Sequence, residues 1–178
     1  PLAEASEYVV DQACAWYPAS GTFNSIPHYS PVGQEFVPTL LLLDVVEVIV
    51  NDGNLNHEEP AELLIQIRSG DIYGEVLGVS EIVVFPNIPG NHRLQFGFVT
   101  PVPLVPGVLH VFEIAQVSGP SASVLTTDSI PGNDPYPQGR SILSGNPRPL
   151  CDMWFMEGVT ELTPVRSTSW GRIKSMYR

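Results

Sequence analysis

The sequence predicts an all-β protein, a two-sheet antiparallel β-sandwich of jelly-roll type with extended N- and C-terminal segments. Three observations predict it. Apolar residues alternate with a period of two in several segments. Turn-forming residues interrupt the chain at short intervals, with 18 prolines and 15 glycines in 178 residues. No stretch carries a convincing helical stripe of more than a few residues.

The elements follow in order. "SEYVVD" (6–11) is a short candidate strand. "LLLDVVEVIV" (41–50) and "VLHVFEIAQV" (108–117) are apolar on both faces, as central strands meeting a second sheet would be. "ELLIQIR" (62–68) puts Leu63, Ile65 and Ile67 on one face, and "LQFGFV" (94–99) does the same with Leu94, Phe96 and Phe98. "EIVVF" (81–85) and "MWFME" (153–157) are shorter candidates. Between them stand "NDGN", "RSGD", "NIPGN", "TPVPLVPG", "SGPS", "PGNDPYPQG" and "SGNPRP". Short helical turns are expected only at "DQACAW" (11–16) and "EEPAEL" (58–63). The expected organisation is an N-terminal extension with a first strand (1–32), a sandwich core (33–158) and a basic, strand-like tail (159–178).

The net charge of −11 argues against nucleic acid as a partner, because phosphate binding needs clustered Lys and Arg. The longest apolar run is broken by Asp44 and Glu47, so no membrane insertion is expected. The chain opens on Pro1 without a signal peptide and is expected to be a processed or trimmed form of an extracellular or cell-surface protein. The two cysteines, Cys14 and Cys151, are read either as two unrelated buried thiols or as one staple; the disulfide is the expectation.

Chemistry-bearing motifs are absent. His28, His57, His92 and His110 are scattered, with no zinc spacing, and His110 reads as structural. There is no nucleophile elbow, phosphate loop or dinucleotide fingerprint, so no enzyme activity is expected. The oxygen-rich "NDGNLNHEE" offers Asp52, Asn54, Asn56 and Glu58 as calcium ligands, against the plainer reading of a polar hairpin turn. Trp16, Tyr17 and Tyr136 lie in turn-like stretches and are the candidates for a sugar-stacking platform; Trp154, in "MWF", reads as packed.

"IRSG" (67–70), "GEVLGVS" (74–80) and "WFMEG" (154–158) follow one another in order, among "GQEFVPTL", "LDVVEV", "TPVPLVPGVLHVFEI" and "YPQGRSILSG". Over roughly residues 8–158 the chain resembles a secreted bacterial β-sandwich module of uncharacterised function. That module is often found in proteins bearing a Pro-Glu-Pro C-terminal sorting signal, and it has the look of galactose-binding-like jelly rolls. The resemblance implies a fold and an extracellular setting and brings no catalytic residues. The chain departs from it in Cys14 and Cys151, and in lacking the apolar helix of the sorting signal after Gly158.

The last stretch has its own pattern. Residues 1–164 hold 4 basic and all 19 acidic side chains, a formal −15, whereas "VRSTSWGRIKSMYR" (165–178) holds 4 basic residues and no acid. Its charges, Arg166, Arg172, Lys174 and Arg178, all fall on even positions, as do Trp170 and Met176. The odd positions, with Val165, Ile173 and Tyr177, are small or apolar, which is a strand pattern. Three readings compete: disorder, an edge strand on its own sandwich, or a strand added to another copy. The last explains why a basic strand ends an acidic body. The expected function is therefore a non-enzymatic extracellular structural subunit whose partners are copies of itself in a filament, through Val165, Arg166, Trp170, Arg172, Ile173, Lys174 and Tyr177. The alternative is a carbohydrate-binding module.

Overall fold

The computed structural model describes residues 8–15, 21–51, 59–85, 90–127 and 134–160. These form an all-β sandwich, with two antiparallel sheets and no helix among the described residues. In chain order the strands are β1 (Tyr8–Cys14), β2 (Gly21–Ser25), β3 (Val32–Phe36), β4 (Leu42–Asn51), β5 (Ala61–Ser69), β6 (Val76–Val79) and β7 (Val83–Phe85). They continue as β8 (Asn91–Pro103), β9 (His110–Ser118), β10 (Ser123–Thr127), β11 (Ser141–Leu143), β12 (Asn146–Pro147) and β13 (Phe155–Thr160).

The connectivity is that of a jelly roll. In one sheet, β4 pairs with β8 along one margin and, along the other, with β13 through Val45–Val48 and with β10 through Val50 and Asn51. β10 and β13 thus share one margin of β4 end to end, joined by a bridge between Thr126 and Met153. β2 lies outside β10 and β1 outside β13. The second sheet runs β12-β11-β3-β9-β5-β6, with β7 also on β5. The orders β2-β10-β4-β8 and β3-β9-β5-β6 are those of two interleaved Greek keys.

Alternation explains the packing. Val46, Val48 and Val50 of β4, Leu63, Ile65 and Ile67 of β5, and Phe112 and Ile114 of β9 point between the sheets into one core. Phe112 stacks against Phe36 at 6.2 Å and edge-on to Phe155 at 5.4 Å between ring centres. The outward residues of β4 are not all solvated. Ile49, Leu125 and Trp154 form a second buried cluster on the far face of that sheet, with Phe23 and Met156 beside them. The Arg93 guanidinium lies 4.7 Å from the Trp154 ring centre and within 3.6 Å of Glu47.

Several expectations are corrected. "DQAC" is not a helical turn but the second half of β1, and "AEL" opens β5 rather than closing a turn. Within residues 1–32, expected to hold an extension and a first strand, the described residues supply β1, β2 and the first residue of β3.

Candidate functional site

β1 is a margin strand, and its seat on β13 is irregular. Its register runs Val10 opposite Gly158, then Gln12 opposite Glu157, so Asp11 is the extra residue of a bulge. The bulge turns the Asp11 carboxylate onto the loop before β4. There it accepts the Thr39 N–H at 2.8 Å, the Leu40 N–H at 3.0 Å and the Thr39 hydroxyl. Gly158 permits this approach, because a Cβ there would collide with the Val9 carbonyl oxygen. Past the bulge, Cys14 faces the core opposite Phe155.

Behind that strand lies an unusual carboxyl. On β13, Phe155 and Glu157 both point inward, and Glu157 is 0% exposed. Neither of its oxygens makes a hydrogen bond of ordinary geometry; its nearest polar neighbours are the Asp11 carboxyl and the Gln12 N–H. Burial pushes its pKa up to about 8, and the Asp11 charge adds to the effect. Asp11 goes the other way. Burial would raise its pKa, but the hydrogen bonds from Thr39 and Leu40 outweigh it and hold the carboxyl below its ordinary value. At neutral pH the two adjacent acids are therefore one charged and one neutral.

A second polar group ties the sheets together. The Gln34 amide of β3 donates to Asp152 Oδ1 at 3.0 Å, and its oxygen accepts the Met153 N–H at 2.7 Å. Asp152 Oδ2 accepts the Tyr136 N–H at 3.2 Å, and the Asp152 N–H donates to Thr127 Oγ1 of β10 at 2.8 Å. Burial pushes Asp152 up to about 7, against the Gln34 hydrogen bond, with the Asp134 charge also raising it.

The margin itself is apolar at one end. Val9 and Val10 are 44% and 41% exposed. Val9 stands opposite Val159, which with Leu40, Leu41 and Leu42 lines an open apolar groove of about 290 Å³. The first and last described residues meet here, since Tyr8 is the cross-strand partner of Thr160. The Asp44 carboxylate fixes the end of β13 by accepting the Thr160 N–H at 2.7 Å and its hydroxyl at 2.6 Å.

The residues singled out from sequence fare differently. β1 and β13 lie side by side, but the expected disulfide is not there: Cys14 and Cys151 are thiols and no bridge joins them. The reason is position. Cys14 meets Phe155, whereas the Cys151 carbonyl, ahead of the β13 ladder, accepts the Ser141 N–H of β11 at 2.7 Å. Tyr136 is not a glycan platform. It is buried, packs edge-on to Phe155 at 5.2 Å between ring centres, and spends its hydroxyl on the Val37 N–H and Gln12. Trp16 and Tyr17 lie outside the described residues, as do Asp52, Asn54, Asn56 and Glu58, and all of Val165, Arg166, Trp170, Arg172, Ile173, Lys174 and Tyr177. His110 is structural, its Nδ1 2.8 Å from the Val108 carbonyl and its ring against Phe36.

Among the described residues no three His, Cys, Asp or Glu side chains converge as a metal site would require, and no helix is long and apolar enough to cross a membrane. Sequence reasoning missed Asp11, Gln34, Asp152 and Glu157. One signal was there: in "WFMEG" Glu157 alternates with Phe155 and must share its inward face. Compared with known proteins, the chain matches no family model and no curated sequence, so the module-like segments alone carry the resemblance drawn above.

Proposed function

We propose that this protein is a non-enzymatic, extracellular structural subunit that assembles by strand addition, the basic segment 165–178 of one copy lying along the margin of β1 that no described strand of the next copy covers. The observation that carries the reading is the convergence at one end of the sandwich. A margin strand with exposed valines, an apolar groove and the end of β13 at Thr160 all meet there. A free margin offers unpaired N–H and C=O groups to an incoming strand, and the groove offers a seat for its apolar side chains. Charge supports the choice of partner, with +4 on 165–178 against −15 on the rest.

Geometry favours a second copy over the same chain. A strand joining β1 antiparallel, as every pairing in this sheet is, starts beside Cys14. β13 ends at Thr160, beside Tyr8, and β1 covers roughly 20 Å between those points. The four residues 161–164 reach at most about 14 Å. Because the donor and acceptor surfaces differ, each copy can give one strand and take one, and the product is a filament unless the rotation closes into a ring.

The test compares the full chain with a version ending at Pro164, and with Val10→Lys, which puts a charge on the accepting margin. The full chain is expected to form filaments in negative-stain images, and both variants to remain folded and monomeric by light scattering and circular dichroism. A shortened chain that assembles as well as the full one would refute the role of the segment.

A further inference from the structure

We propose that the buried Glu157 carboxyl is a proton-operated latch for β1: while it is neutral the strand stays docked on β13, and when it loses its proton the strand lifts from the sheet margin. The consequence for assembly rests on the function proposed above; the latch itself does not.

The geometry sets the conflict. Glu157 stands between Gln12 of β1 on one side and Val46 of β4 on the other, fully buried, with both oxygens lacking hydrogen bonds of ordinary geometry. The titratable groups around it are all acids or phenols. β1 presents Asp11 and, further along, Tyr8. The segment ahead of β11 presents Tyr136, which also feels Asp152 from the approach to β13. β4 puts uncharged Val46 opposite; its Asp44 is spent on Thr160, and its Glu47 lies toward Gln95 and Arg93 on the outer face. No cation among the described residues answers Glu157. Among the described residues, Arg68 pairs with Glu113, Arg93 covers Trp154, Arg140 acts on Glu35, and Arg148 sits in the turn bonded to Ser141.

A charge on Glu157 is thus shut from solvent with no counter-ion among the described residues; only the Gln12 N–H favours it, and it faces Asp11, which the Thr39 and Leu40 amides keep ionised. Lifting β1 relieves both problems at once: it admits water and carries Asp11 away. The sign follows from linkage. The docked carboxyl is pushed up from 4.5 to about 8, so the docked state binds the proton more tightly. Docking is fully stabilised below the ordinary carboxyl value, weakens as pH rises toward about 8, and levels off above it. Lifting β1 removes the margin that the incoming strand would pair with, so assembly should be favoured on the acid side.

Hydrogen exchange read by mass spectrometry on the full chain, diluted until light scattering shows no assembly, tests the latch. After correction for intrinsic exchange, opening of residues 8–14 should rise at least about tenfold from pH 6 to pH 9 in the native protein and stay level in Glu157→Gln. An equal rise in both would overturn the latch. A ¹³C titration of the native carboxyls guards against a variant that fails to fold. It should show one Glu with a midpoint above pH 7, and the ordinary carboxylate range for every Glu would refute the proposal. If filaments never form, the exchange contrast still stands and only the assembly reading falls. If filaments form without the contrast, only the latch falls.

Discussion

Replacing Asp152 with alanine should destabilise the sandwich by an amount that shrinks as pH rises. Asp152 accepts the Gln34 amide at 3.0 Å and the Tyr136 N–H at 3.2 Å, both in the interior. Truncation leaves the Tyr136 N–H with only Asp134 Oδ1, at 3.2 Å, and Gln34 Nε2 with only the Glu35 carbonyl, at 3.0 Å. Two buried hydrogen bonds are lost while each donor keeps one acceptor, so at about 0.5–1.5 kcal/mol each they give about 1–3 kcal/mol near pH 5. There the carboxyl is neutral in the fold and still accepts both bonds. Its pKa is pushed up from 3.8 to about 7, so the folded state holds the proton longer, and this group's contribution falls as pH rises between those values. The alanine variant lacks that liability. Urea unfolding at pH 5 and pH 8, for both proteins, measures the difference. A Gln34→Leu background should shrink the alanine effect, since the amide donor is then absent. A loss below about 1 kcal/mol near pH 5, or a larger loss at pH 8 than at pH 5, would refute the assignment of Asp152 as an inter-sheet tie.

Two further outcomes are expected. Gly158→Ala should cost about 1–3 kcal/mol, because the new Cβ drives the Val9 carbonyl away, and it should raise hydrogen exchange selectively in Tyr8–Cys14; uniform exchange across the sheet would contradict that. Cys14 is buried and its thiol is pushed up to about 12 by burial, with Asp152 and Asp134 adding, so iodoacetamide near pH 8 should label it only after unfolding. Rapid labelling of Cys14 in the native protein, read by peptide mass, would contradict its place in the core.

The strands that could be read from sequence are those whose two faces differ only in burial. β5 shows Leu63, Ile65 and Ile67 inward against Glu62, Gln66 and Arg68 outward, and its ends fell within a residue or two of the structure. β4 and β9 were legible as central because their outward faces also meet apolar groups, Ile49 under Trp154 and Val111 against Ile72 and Ile142. β3 was missed as a strand because its central inward residue is Gln34, polar yet buried; the Asp152 carboxylate that satisfies it lies 118 residues away. β2 offers one aromatic, Phe23, among Gly, Thr, Asn and Ser, and is held by its partner β10 rather than by its own pattern. β1 read as partly helical because the bulge at Asp11 breaks the period of two. The site suffered the same fate: Asp11 and Glu157 acquire their properties from each other across two strands, and neighbours in sequence foretell neither.

The pairing of β1 with β13 also dictates an order of events during synthesis. β1 is made before every other described strand, yet its only partner among them begins at Phe155. Until β13 has emerged and settled on β4, Val9, Val10 and the core-facing Cys14 have nowhere to dock. Closing a loop of this length is entropically costly, so such contacts form late in folding. A growing chain must therefore hold its N-terminal segment in waiting while the two interleaved keys form. The segment most open to chaperones, proteases or another chain during that interval is the one that later forms the margin of the finished molecule.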